Sequence, residues 1–149
     1  MIQVRSRAER RRDTEHRLTH DVDLWVASSS ADGAPYLVPL SFDWDGEALL
    51  LATPADSPTG RNLAATRAVR LALGHTRDVS MIEGEVDVLE IDALPEEWGD
   101  RFAARAGFDP RASVGPYRWF RITPRRIQAW REVDELPDRE LMRDGCWLS

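Results

Sequence analysis

The chain has 149 residues, 42% of them hydrophobic and 31% charged, which suffices for one domain with a real core. Its net charge of −6 excludes a general nucleic-acid binder, and a single cysteine, Cys146, excludes an internal disulfide framework and fits a reducing cytoplasm. No apolar run reaches the length of a membrane span, and MIQVRSRAERRRDTEHRL lacks the apolar stretch of a secretory signal.

The charge is uneven. Residues 1–20 hold six arginines against three acids, a net of +3, which leaves −9 for the rest. Residues 1–20 read as a basic arm or helix, and 21–149 as a single domain. A basic run of this kind is a solvated helix face or frayed terminus, or else a set of arginines reaching an anionic ligand.

From Leu24 the pattern turns to strands. Leu24–Ala27 leads to a turn at Asp32-Gly33. From Pro35 to Trp44 the residues alternate: Tyr36, Val38, Leu40, Phe42 and Trp44 on one face, Leu37, Pro39, Ser41 and Asp43 on the other. Pro39 cannot donate to a ladder, so this point is an edge, a bulge or an opening. A gap beside Leu40 and Ser41 would offer backbone groups to a flat ligand. Asp45-Gly46 makes a tight hairpin into the fully apolar strand Ala48–Ala52.

That strand empties into a polar turn with Thr53, Ser57, Thr59, Arg61 and Asn62, which opens a helix from Pro58 to about Arg67. Ser57 suits the N-cap and Pro58 the first helical position. Gly60 stands where a capping box places Glu or Gln, so the first turn holds no carboxylate. Free N–H groups, hydroxyls and a guanidinium suit a phosphate. An ordinary capped surface helix explains the segment equally well, and Asp56 beside it would repel an anion.

Val69, Leu71 and Leu73 mark the next strand, followed by a turn at Gly74–Asp78 that includes His75. A longer strand puts Ser80, Ile82, Gly84, Val86 and Val88 on one face and Met81, Glu83, Glu85 and Asp87 on the other. Leu94, Trp98 and Phe102 recur at helical spacing, with Pro95 near the start and Gly107 past the end. Tyr117–Arg131 reads as strand, bend at Pro124, strand. The tail from Asp138 is too short to classify, although Asp144-Gly145 suggests a turn. Six or seven antiparallel strands with two or three short helices predict a mainly β fold, a barrel.

No nucleophile elbow, Walker loop, dinucleotide fingerprint or zinc spacing is present. The absence of lysine excludes Schiff-base chemistry. His16 and His20 lie four apart without a third metal ligand. A chain with no evident acid, base or nucleophile remains a candidate enzyme if a cofactor carries the reaction.

DGAPYLVPLSFDWDGEALLLAT, SPTGRNLAATRAVRLAL, the Glu83-Gly84 strand and FRITPRRIQAWRE together resemble the pyridoxamine 5′-phosphate oxidase-like split β-barrel proteins, over roughly Asp21 to Glu132. The resemblance implies a homodimer with a flavin-type cofactor, FMN or the deazaflavin coenzyme F-420, in the groove between subunits. It implies a ring against Val38-Pro39-Leu40-Ser41, a phosphate at Thr53, Ser57, Thr59, Arg61 and Asn62, and a cover from the partner's last strand, which implicates Trp130. Many relatives carry a lysine where this chain has Thr59, which leaves Arg61 to supply the charge. The implied activity is hydride or electron transfer to a small-molecule substrate, without nucleic-acid or membrane partners, and not true pyridoxamine phosphate oxidation. A poly-glutamate tail, as on F-420, would find the arginines of residues 5–17. The alternatives are a non-catalytic flavin or haem carrier and a cofactor-free assembly protein.

Overall fold

One antiparallel sheet curls around a single apolar interior in the computed structural model, which describes residues 3–149. The strands are β1 (Asp23–Ser29), β2 (Pro35–Ser41), β3 (Asp43–Trp44), β4 (Leu49–Pro54), β5 (Ala68–His75), β6 (Asp78–Glu90), β7 (Tyr117–Trp130), β8 (Glu140–Arg143) and β9 (Cys146–Trp147). Their order is β2-β1-β5-β6-β7-β4-β3, with β8 on β7 and β9 on β8. Helices α1 (Arg7–His20), α2 (Pro58–Thr66) and α3 (Glu96–Ala106) complete the fold. The mainly β, split-barrel expectation holds, with seven strands along the main path. Among the described residues no helix is long and apolar enough to cross a membrane.

Alternation decides what faces inward. Leu24, Val26, Val69, Leu71, Leu73, Ile82, Val86 and Ile127 fill the interior, while the residues between them point outward. β4 is apolar from Leu49 to Ala52 because both its faces are covered. Leu49 and Leu51 join the interior, and Leu50 and Ala52 pack with Phe102 of α3 and with Trp119 in a second cluster.

Three elements differ from the sequence expectation. The run from Pro35 to Trp44 is two strands, because the chain at buried Phe42 passes from pairing with β1 to pairing with β4. Residues 117–130 form one continuous strand: Glu83 faces Arg126 and Gly84 faces Pro124, so Arg125 is a bulge residue that absorbs the proline without ending the ladder. His75 closes β5 instead of lying in the turn.

The basic segment is neither frayed nor free. α1 begins with a complete capping box between Ser6 and Glu9 and buries Arg10, Thr14 and Leu18. Arg5 donates to Glu135 through Nη2 (2.7 Å), Nε (3.1 Å) and its backbone N–H (2.9 Å). Arg10 donates to the carbonyls of Ala129 and Glu135, Arg7 to those of Glu140 and Ser149, Arg11 pairs with Glu15, and Arg17 with Asp78. Five of the six arginines therefore bond within the chain. Deleting the segment would remove a packed helix.

Candidate functional site

Two backbone bonds fix which groups β2 presents at its edge. Phe42 N–H donates to Val22 at 3.0 Å, and Ser30 N–H donates to Ala34 at 3.0 Å. Hydrogen-bonded pairs alternate along an antiparallel ladder. Tyr36, Val38 and Leu40 therefore bond to β1, whereas Pro35, Leu37, Pro39 and Ser41 turn their backbone groups outward. Both prolines occupy outward positions, where a missing N–H leaves no hole in the ladder. The free edge donors are the N–H groups of Leu37 and Ser41. The Leu40 N–H, singled out from sequence, is consumed by the ladder. The side chains of Val38 and Leu40 pack toward the interior, Pro39 is exposed, and the Ser41 hydroxyl donates to Asp23 at 2.7 Å.

The strand β2 lies close to β4 and to α2. Ser57 is the N-cap as its type predicts. Its hydroxyl accepts from Gly60 N–H at 3.0 Å and donates to the Pro54 carbonyl at 2.7 Å. Thr53 is buried beside it, with its hydroxyl 3.3 Å away. Gly60 has a packing reason: a Cβ there would run into the Pro54 carbonyl oxygen. Gly60→Ala should therefore lower stability by about 1–3 kcal/mol, as overpacking does, because the obstacle is rigid backbone. A chemical denaturation midpoint equal to the parent's would refute this.

Asn62 is buried and its Nδ2 donates to Ser28 on β1 at 3.1 Å, which locks the helix to the sheet. Thr59 is buried as well, so the position held by lysine in many relatives faces into this protein. Arg61 is exposed and its guanidinium contacts the carbonyl of Asp56. The anion-binding capacity left at this helix end is the N–H of Thr59, unmatched among the described residues, together with the Arg61 guanidinium.

Trp130 lies elsewhere. It pairs with Val79 on β6, which pairs with Gly74 on β5, whereas Ser41 pairs with Asp23 on β1. Trp130 thus shares the outer sheet face with Pro39 and Ser41, but four strand spacings, roughly 19 Å, separate it from Ser41. Within one chain Thr53, Ser57, Thr59, Arg61 and Asn62 cluster at the start of α2, Asn62 reaches Ser28 opposite Tyr36 on β2, and Trp130 lies apart. The same outer face exposes Trp25 (49%) and Leu37 (60%) beside Pro39, an apolar patch on an otherwise charged sheet.

Sequence reasoning missed two features. One is Ser28, whose link to Asn62 joins β1 to α2, 34 residues apart in the chain. The other is a cleft of about 430 Å³ over β1, β5 and β6, which contains none of the candidate cofactor-binding residues. The outward parity of β2 was readable in principle, since Pro35 and Pro39 are an even number apart.

The sequence profile of pyridoxamine 5′-phosphate oxidase matches residues 18–131. The chain belongs to the pyridoxamine 5′-phosphate oxidase-like family. Similar solved structures share its split-barrel fold. A protein named F-420 reductase is 21% identical, with a TM-score of 0.62, covering 76% of this chain and 94% of its own. General Stress Protein 26 from Bacillus anthracis is 19% identical, with a TM-score of 0.55 and coverage of 80% and 94%. A pyridoxamine 5′-phosphate oxidase-related, FMN binding protein from Nostoc punctiforme is 13% identical, with a TM-score of 0.52 and coverage of 83% and 79%. No curated protein matches the sequence. At these identities the structures establish the fold of the family and not a shared reaction.

Proposed function

We propose that this chain is a homodimeric, cytoplasmic oxidoreductase that holds FMN, or alternatively F-420, and passes hydride or electrons to a small acceptor. Two features carry the reading: an unpaired strand edge with outward N–H groups at Leu37 and Ser41, and an anion-suited helix start at Thr59 and Arg61, on two elements that touch. When bound, the flavin-type group supplies the redox chemistry. The chain's own part is to anchor a phosphate through Thr59 N–H and Arg61, and to meet polar ring atoms with the Leu37 and Ser41 edge donors. Thr53, Ser57 and Asn62 hold that helix start in place. The exposed Trp25, Leu37 and Pro39 favour a second copy on the outer face, which would bring a partner's residues, Trp130 among them, to the groove.

The buried Thr59 favours one alternative, a split-barrel protein that assembles without a cofactor. An absorbance spectrum followed by fluorescence titration with FMN and with F-420 separates the two. Saturable binding of one cofactor supports the enzyme and names its branch; binding of neither leaves the assembly protein. Arg61→Ala should then lower the affinity by about 1.5–3 kcal/mol, the worth of a charged hydrogen bond, without moving the denaturation midpoint. An unchanged affinity would remove the phosphate from this helix end.

A further inference from the structure

The start of α2 holds more than a capped helix needs. Thr59 is only 2% exposed, yet its hydroxyl has no partner among the described residues. Among those residues Asp78 Oδ1 is the one fully enclosed side-chain polar atom without a partner, so the little that Thr59 shows to solvent includes its hydroxyl. A buried side chain with an open hydroxyl beside its own unmatched N–H offers two donors to one acceptor. The charge at this place does not balance. A phosphate monoester carries about −1.5 to −2 charges at neutral pH. Arg61 brings one positive charge, but its guanidinium contacts the carbonyl of Asp56, whose carboxylate stands in the same turn. A phosphate here calls for a second cation.

The strand ladder places one beside the turn. Arg118 on β7 lies directly opposite Thr53 on β4, and Glu90 on β6 lies opposite Arg118. Opposite residues share a sheet face, with Cβ atoms about 5 Å apart. The Thr53 hydroxyl in turn stands 3.3 Å from that of the N-cap, Ser57. The Arg118 stem is therefore one side chain away from the start of α2. Its Nε meets Glu90 Oε1 at 3.0 Å, but more than a third of the Arg118 side chain and most of Glu90's are exposed. An exposed pair of this kind contributes little and yields to a stronger partner.

We propose that Arg118 is the second cation of the anion anchor: its guanidinium turns from Glu90 across Thr53 to a phosphate held by Thr59 and Arg61, and Glu90 competes with that phosphate for it. The inference rests on the proposed function, whose cofactor brings the phosphate. An arginine fork takes two oxygens of a phosphate at once, so two arginines on different elements fix its orientation as well as its charge.

Fluorescence titration of the full chain with FMN, F-420 and riboflavin, the flavin without a phosphate, tests it. Arg118→Gln should weaken binding of the phosphate-bearing cofactor about tenfold, within the range of a charged hydrogen bond, and leave riboflavin binding and the denaturation midpoint unchanged. Glu90→Gln should tighten the same cofactor about threefold, the worth of releasing an exposed ion pair, and should do nothing in the Arg118→Gln background. Equal cofactor affinity in parent and Arg118→Gln, or Glu90→Gln acting alike in both backgrounds, would overturn the inference and leave the redox reading standing. An equal loss of riboflavin and FMN affinity would overturn it too, because Arg118 would then serve the ring or the fold and not the phosphate. A parent that binds neither FMN nor F-420 would remove the proposed function and this inference together.

Discussion

Glu135→Ala is expected to lower folding stability by about 3–5 kcal/mol, the loss typical of a buried ion pair deprived of one partner. The Glu135 side chain is only 3% exposed and accepts from Arg5 Nη2, Arg5 Nε and the backbone N–H groups of Arg5 and Arg131. Without it, the Arg5 guanidinium stays buried with only Asp13 and the more distant Asp78 as partners. The pair ties the entry of α1 to the segment after β7, so its loss should loosen both ends of the described chain together.

The same carboxylate gives the protein an acid sensitivity of known sign. Hydrogen bonds from Arg5, outweighing the opposing effect of burial, hold Glu135 at a pKa of about 2, against 4.5 when unconstrained. A group depressed on folding stabilises the native state above its unfolded pKa. That contribution is full above about pH 4.5 and is lost as the pH falls through about 2. The gap corresponds to roughly 3 kcal/mol. Urea midpoints measured between pH 7 and pH 2 should show the parent losing stability in this window and Glu135→Gln losing distinctly less. Parallel curves for the two proteins would show that Glu135 is not the titrating group.

Trp119→Ala should be comparably severe, about 3–5 kcal/mol, as is usual when a large aromatic side chain is deleted from a core. Trp119 is wholly buried, meets Phe102 edge-on at 5.2 Å between ring centroids, and donates from Nε1 to the Ile91 carbonyl at 3.0 Å. The change leaves a cavity between α3 and the sheet and strands that acceptor. Its position links stability to the candidate site. Trp119 pairs with Ala52 on β4, one residue before Thr53 and the turn into α2. Cofactor titrations of this variant should therefore weaken along with its denaturation midpoint. A stability loss below about 1 kcal/mol would mean that α3 collapses into the space.

The strands and helices were legible where the residues carry a local period. β6 alternates cleanly because one face is buried and the other wet. α2 was readable from Ser57 and Pro58 because cap chemistry is local. β8 and β9 were not, since Glu140–Arg143 and Cys146–Trp147 are too short to show a period and exist by pairing with β7 and with each other. The candidate site was legible only in parts. The polar turn at Thr53–Asn62 announced itself by composition, but Gly60 proved to answer to the Pro54 carbonyl, a contact that composition does not reveal. The arginines of α1 were visible as charge, but their partners, Glu135, Asp78 and a set of backbone carbonyls, lie 60 residues or more away along the chain.

By itself the sequence determined the fold class and the order of the longer elements, because alternation, caps and turns are properties of neighbouring residues, and its motifs carried the resemblance to the family. It also narrowed Pro39 to an edge, a bulge or an opening, since proline cannot donate, and the structure selects the edge. Only the tertiary structure decided which N–H groups that edge leaves free, for parity is set by the register of β1 against β2. It alone decided that five of six N-terminal arginines are occupied, and that Arg125 is the extra residue of a bulge. These depend on contacts between distant segments, which form only when burial of the apolar faces brings the strands together.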